Sequence, residues 1–158
     1  MYLEDFEVGQ TYRSSGLRVE ADEIKRFAAE FDPQPFHLSE EAACATIFQG
    51  LAASGWHTAA LTMKLFGQSN FRPVGGLVGV GFEGRWPKAV RPGDELRVEA
   101  DVLEVRPSKS NATRGVIVVR VSTLNQDGEA VQLATFTLLV PRRGSSLTEM
   151  NPPSSMPG

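Results

Sequence analysis

Apolar residues recur at two different periods along this chain, and the change between them divides it. In the first part Ile24, Phe27, Ala28 and Phe31 fall three and four residues apart, the spacing that puts side chains on one face of a helix. Glu20, Asp22 and Glu23 crowd its first turn, where the positive end of the helix dipole favours them, and the Asp32-Pro33 pair stops it. Before this helix, Val8 to Val19 reads as a loop and a first strand. Ser39 is a good N-cap for a short helix through Glu40, Glu41, Ala42, Ala43 and Ala45. A third helix is predicted from Ser54-Gly55 through Phe66, closed by Gly67 and followed by a loop with Asn70, Pro73, Gly75 and Gly76. It is apolar on nearly every face, so it is expected in the middle of the domain.

From Leu77 the period becomes two. Val78, Val80 and Phe82 alternate with other residues, and Leu96, Val98, Ala100 and Val102 alternate with Glu95, Arg97, Glu99 and Asp101, the pattern of a strand wet on one face. Two more strands, near Thr113 to Thr123 and Glu129 to Val140, flank the hairpin turn Leu124-Asn125-Gln126-Asp127-Gly128. Arg91-Pro92-Gly93-Asp94 marks another tight turn. Together these predict an α+β domain over residues 1–141. Its antiparallel sheet of about five strands must bury an apolar face and therefore wraps around the one long buried helix. Residues 142–158 carry too few apolar side chains to pack and are expected to form a disordered tail.

Composition narrows the partners. With 158 residues the chain has the length of one domain. The net charge is −3 with both signs interspersed, which gives no field for nucleic acid or an anionic membrane. No apolar stretch reaches membrane-spanning length, and Met1-Tyr2-Leu3-Glu4-Asp5 lacks the basic region and apolar core of a secretory signal, so a cytoplasmic protein is expected. A single cysteine, Cys44, excludes an intrachain disulfide and, in its Ala-rich segment, reads as a small core residue. Two histidines and one cysteine at no familiar metal-binding spacing leave few ligands for a metal.

The chemistry-bearing stretch is Phe31-Asp32-Pro33-Gln34-Pro35-Phe36-His37. Each proline lacks a backbone donor and pushes the residue before it out of the α region, so Asp32 and Gln34 are biased toward extended conformations and the run reads as a stiff turn. A carboxylate and an imidazole offered to the same side of such a turn can hold one water, the imidazole taking its proton while the carboxylate orients it. That would be a hydration or dehydration site. Asp-Pro is also a common turn opener, and a lone histidine after it can be a hydrogen-bonded structural residue. These residues alone leave both possibilities open.

The run from Asp32 to His37 resembles the hydratase motif of the MaoC-like dehydratases, relatives of the (R)-specific enoyl-CoA hydratases, which is Asp, any residue, Asn, Pro, an aliphatic residue and His. Gly55 at the start of the apolar helix and Arg91-Pro92-Gly93-Asp94 before a strand fall in the family's order, so the resemblance spans residues 3–141. Gln34 replaces the usual Asn, Phe36 the usual aliphatic residue, and Ala53-Ser54 a frequent Ala-His. The resemblance implies the hotdog fold and reversible hydration of a trans-2-enoyl-CoA, or dehydration of an (R)-3-hydroxyacyl-CoA. It implies His37 as the base toward water and Asp32 as the group that orients this water and helps return a proton to C2. The Gly55 N–H, unpartnered at a helix N-terminus, would meet the thioester oxygen. Close helix-to-sheet packing is the alternative explanation of Gly55. Phe36, Trp56, His57 and Met63 are candidates to line the acyl pocket, with core packing as their alternative. No metal, nucleotide or flavin is required, and coenzyme A enters as part of the substrate.

Two other functions would suit the same fold: an acyl-CoA thioesterase, whose carboxylate activates water against the thioester carbonyl, and a non-catalytic acyl-CoA-binding or scaffolding module. The Asp32/His37 pair at hydratase spacing argues against both. A homodimer or larger homo-oligomer is expected, because a single curled sheet leaves edge strands that must be paired or covered. In the resembling family two such sheets join edge to edge.

Overall fold

The switch of period at Leu77 is a switch of structure in the computed structural model, which describes residues 1–149. Two short strands, β1 (Thr11–Arg13) and β2 (Leu17–Arg18), lead into four helices: α1 (Ala21–Phe31), α2 (Pro35–Leu38), α3 (Glu40–Cys44) and α4 (Gly55–Gln68). Four strands follow: β3 (Val78–Arg85), β4 (Glu95–Pro107), β5 (Arg114–Leu124) and β6 (Ala130–Pro141). All pairings are antiparallel, in the order β1-β4-β5-β6-β3, with β2 also on β4. The sheet has six strands because the segment expected as one first strand is two short ones, pairing Thr11 with Asp101 and Leu17 with Leu96.

The alternation along β4 is the packing of the domain written in sequence. Leu96, Val98, Ala100 and Val102 are all buried, with Ile117, Val119 and Val121 of β5 beside them. The β5–β6 hairpin turns where expected: Gly128 takes φ +76°, and the Asn125 side chain accepts the backbone N–H groups of Asp127 and Glu129. In the turn before β4, Gly93 takes φ +86° and the Asp94 carboxylate accepts the Arg91 N–H at 2.7 Å.

The helix α4 lies on the sheet through Thr58, Thr62, Leu65 and Phe66, and the Thr62 and Thr123 hydroxyls meet at 2.6 Å. It runs past Gly67, which does not close it, and ends at Gln68. The expectation of burial on every side is met on the inner face only. Trp56 is 59% exposed, and Ala60 and Met63 are exposed with it. This outer stripe faces β3, with which it borders an apolar groove of about 550 Å³ reaching Val80, Phe82 and Phe136. Nearly continuous apolar sequence therefore marks two surfaces here: one packed on the sheet, the other open in the single chain.

Two smaller expectations are also corrected. Cys44 ends the single turn of α3 with its thiol toward Glu40 and is exposed, not a core residue. The chain after Pro141 does not leave the domain at once: Arg142 and Arg143 pair with Glu4 and Asp5, and Leu147–Glu149 forms a short 3-10 turn. Residues 150–158 of the expected tail lie outside the described residues. Among the described residues no helix is long and apolar enough to cross a membrane.

Phe66 is fully buried and packs 4.9 Å from the ring of Phe71, whereas Phe31 is 65% exposed. Phe66→Ala is expected to cost about 3–5 kcal/mol of unfolding free energy and Phe31→Ala less than about 1 kcal/mol, read from urea denaturation at unchanged slope.

Candidate active site

The site begins where α1 is forced to stop. Asp32 caps α1 with φ −153°, its N–H still bonded to the Ala28 carbonyl, because Pro33 cannot continue the helix. Gln34 is extended, as a residue before proline should be. From there the structure departs from the expected extended turn. Pro35 opens the single-turn helix α2, a position where its missing N–H costs nothing, so Phe36 and His37 are helical. One turn of helix, rather than an extended run, points His37 back at Asp32.

His37 Nε2 lies 3.5 Å from Asp32 Oδ2, too long for a good direct hydrogen bond and short enough for a single water to touch both. The other ring nitrogen settles the tautomer. His37 Nδ1 is 2.6 Å from the Ala52 carbonyl, which can only accept, so Nδ1 carries a proton and the nitrogen turned toward Asp32 is Nε2, which holds the lone pair whenever the ring is neutral. Phe36 meets the His37 ring edge-on at 4.6 Å and helps hold it. Asp32 has its own support, because the Ser54 hydroxyl donates to Oδ2 at 2.6 Å.

Gly55 is the first residue of α4, where a backbone N–H has no intrahelical partner and carries the positive end of the dipole. A Cβ at this position would lie 2.8 Å from the Trp86 ring, so the close approach that requires glycine is that of Trp86. The Trp86 indole N–H is anchored on the buried Gln132 at 2.7 Å. His37, Gly55, Thr58, Trp86 and Val90 line one pocket of about 200 Å³. The structure thus brings the imidazole and the helix N-terminus to the same cavity.

Arg91 braces the segment that leads into this site. Its guanidinium donates to the carbonyls of Gly50 at 2.8 Å, Leu51 at 3.3 Å and Phe48, while Glu40 accepts the Leu51 N–H at 2.7 Å. The Ala53 N–H then bonds the Val90 carbonyl at 2.9 Å. This pins the segment whose Ala52 carbonyl fixes the tautomer of His37. Neither Arg91 nor Ser54 was legible as part of the site: Ser54 reads as a helix start, and its partner lies 22 residues earlier.

The other candidates divide. Trp56 and Met63 line the apolar groove, and Trp56 meets Trp86 edge-on at 5.3 Å where the groove and the smaller pocket adjoin. Phe36 packs on His37 and Phe48. Phe36 lines neither cavity, and nor does His57, which takes the packing alternative. As the third residue of α4 it turns inward, stacks on Phe27 at 4.7 Å, and leaves Nδ1 buried without a partner. Burial lowers its pKa; Glu23 opposes this shift and Arg26 adds to it. Among the described residues no group of three or more His, Cys, Asp or Glu side chains could hold a metal ion.

The chain as a whole is similar to known proteins. The family model described as MaoC like domain matches residues 5–125, and the chain belongs to this family. The crystal structure of the MaoC-like dehydratase from Rhodospirillum rubrum is 53% identical, with a TM-score of 0.88 over 90% of this chain and 98% of that one. The uncharacterized protein YdeM of Bacillus subtilis is 35% identical over 143 residues, 90% of this chain and all of that protein. The 3-hydroxybutyryl-CoA dehydratase of Methylorubrum extorquens is 30% identical over 132 residues, 83% of this chain and 82% of that one. The α+β architecture is the hotdog fold, and the chain stands among the MaoC-like dehydratases.

His57 gives a pH prediction. Unfolded, it protonates near its ordinary value of 6.5, while in the fold burial keeps it neutral to lower pH. The unfolded state therefore binds the proton first as pH falls, and stability drops from about pH 6.5 down to the folded-state pKa. His57→Leu should flatten this part of the acid decline, measured as the difference in unfolding free energy between about pH 7.5 and about pH 5. An identical decline in parent and variant would contradict it.

Proposed function

We propose that the protein catalyses reversible hydration of trans-2-enoyl-CoA thioesters, or dehydration of (R)-3-hydroxyacyl-CoA, through Asp32, His37 and the Gly55 N–H. The observation that carries this is the orientation of His37: with Nδ1–H spent on Ala52, Nε2 lies 3.5 Å from Asp32 Oδ2, close enough for one water beside the pair to touch both. Nε2 takes a proton as the water oxygen bonds to C3 and the C2–C3 electrons move toward the thioester. The oxygen that gains charge is met by the Gly55 N–H. The dyad then returns a proton to C2, so that one water is added across the double bond. Membership of the family and a relative named as a 3-hydroxybutyryl-CoA dehydratase support this chemistry. It calls for no separate cofactor, coenzyme A being part of the substrate.

The acyl chain is proposed to follow the apolar groove beside Trp56 and Met63. The same groove and the unpaired outer edge of β3 support a homodimer, with a second copy covering them.

Hydration is followed as loss of the conjugated enoyl absorbance across a panel of chain lengths. Asp32→Asn and His37→Ala are expected to lower kcat by ~100-fold or more without release of free thiol, which would instead mark a thioesterase. Gly55→Ala and Gly55→Pro both set a Cβ against Trp86, but only proline lacks the N–H, so the proline variant should lose a further ~100-fold in kcat. Folded Asp32 and His37 variants with wild-type rates would refute the assignment. Light scattering should give twice the chain mass, and a monomer would refute the dimer.

A further inference from the structure

Ser54 is fully buried between Asp32 and α4, and its hydroxyl is engaged on both sides. Oγ accepts the Trp56 N–H at 3.2 Å, which makes Ser54 the N-cap of α4 and directs its own proton away from the helix. That proton goes to Asp32 Oδ2 at 2.6 Å, the short separation of a charge-assisted O–H to carboxylate bond. A cap needs only the first of these bonds. An aspartate would cap α4 equally well but would set two carboxylates against each other. The position requires a group that accepts from the helix and donates to Asp32.

The carboxylate needs this donor. The terminal torsion of an aspartate is broad, and Asp32 sits past the last turn of α1 where no helical neighbour restrains it. Among the described residues, the bond from Ser54 is the hydrogen bond that fixes its rotation. It does so on Oδ2, the oxygen 3.5 Å from His37 Nε2.

We propose that Ser54 is a positioning residue: it locks the Asp32 carboxylate in the rotation that presents it with His37 to the reacting water. The proposal rests on the hydratase reading of the dyad. The helix N-terminus then serves the reaction twice, the Trp56 N–H through Ser54 and Asp32, and the Gly55 N–H directly. Because the water is reorganised only in the chemical step, Ser54 governs turnover rather than substrate affinity.

The test compares Ser54→Ala, Ser54→Thr, Asp32→Asn and the Asp32→Asn/Ser54→Ala double variant on an enoyl-CoA that the wild type hydrates, with melting temperatures alongside. Ser54→Ala is expected to lower kcat by ~10–100-fold with KM within about 3-fold, and Ser54→Thr, which keeps the hydroxyl, to recover most of that loss. In the Asp32→Asn background the same substitution should change the residual rate by less than about 2-fold, since its target is gone. If alanine prevents folding, Ser54→Gly, a tolerated cap without a hydroxyl, should show the same kcat loss. Wild-type kcat in the folded Ser54→Ala or Ser54→Gly enzyme would overturn the proposal and leave a simple cap, as would a full additional loss on top of Asp32→Asn. Should Asp32→Asn itself hydrate at the wild-type rate, the hydratase reading falls; should it fail while Ser54→Ala turns over normally, only the role of Ser54 falls.

Discussion

The structure turns on the four residues from Ala52 to Gly55, which lead from the Asp32–His37 turn to the helix on the sheet. Within this stretch Ala52 supplies the carbonyl that orients His37, Ser54 the hydroxyl on Asp32, and Gly55 the first free N–H of α4. These groups stand in register because the segment is held on both sides. Ala53 is tied to the strand side by the Val90 carbonyl, and the residues before it hang on the guanidinium of Arg91. This half-buried guanidinium satisfies several backbone acceptors at once. Here it makes the tight turn before β4 part of the site.

How much of this the sequence announced depends on the range of the interaction involved. The alternation along β4, the Asn125–Gly128 turn and the start of α4 at Gly55 all follow from local period, turn chemistry and capping, and all were legible. Asp32 and His37 were legible too, since two prolines confine them to a few residues. The helical turn of α2 was not, because Pro35 serves an extended run and a first helical position equally well. Nor could the pattern of α4 separate its sheet-packed face from the stripe of Trp56 and Met63. Hydrophobicity reports that a side chain avoids water, not what covers it. For the same reason the two alternatives for His57 could not be separated: one residue of helical rotation divides the groove from the packing against Phe27.

The departures from the hydratase motif are explained by where their side chains point. Gln34 is exposed, and the turn it occupies is held by its backbone, its N–H on the Asp32 carbonyl at 2.7 Å and its own carbonyl accepting from His37 at 3.0 Å. Exchange of one amide side chain for another leaves those bonds alone. Phe36 instead faces inward, edge-on to His37 and against Phe48, so an aromatic ring there adds packing that an aliphatic residue would not. The changed residue with chemical weight is Ser54, which touches the carboxylate itself.

The strand β3 carries a different kind of information. Edge strands of stable monomers are blunted by proline, lysine or a covering loop. β3 has neither residue; its Glu83, Arg85 and the irregularity between Gly79 and Gly81 interrupt the edge only in part, and it contains three glycines and exposes Val78 and Phe82 next to the exposed Trp56 and Met63. An apolar groove and an unpaired, glycine-rich edge on the same side of a domain are a liability in water and an asset in an assembly. The groove also adjoins the pocket of His37 and Gly55 at the Trp56–Trp86 contact. A copy covering the β3 edge would therefore enclose the groove beside the pocket of His37 and Gly55, excluding bulk water there and leaving every electrostatic contact stronger.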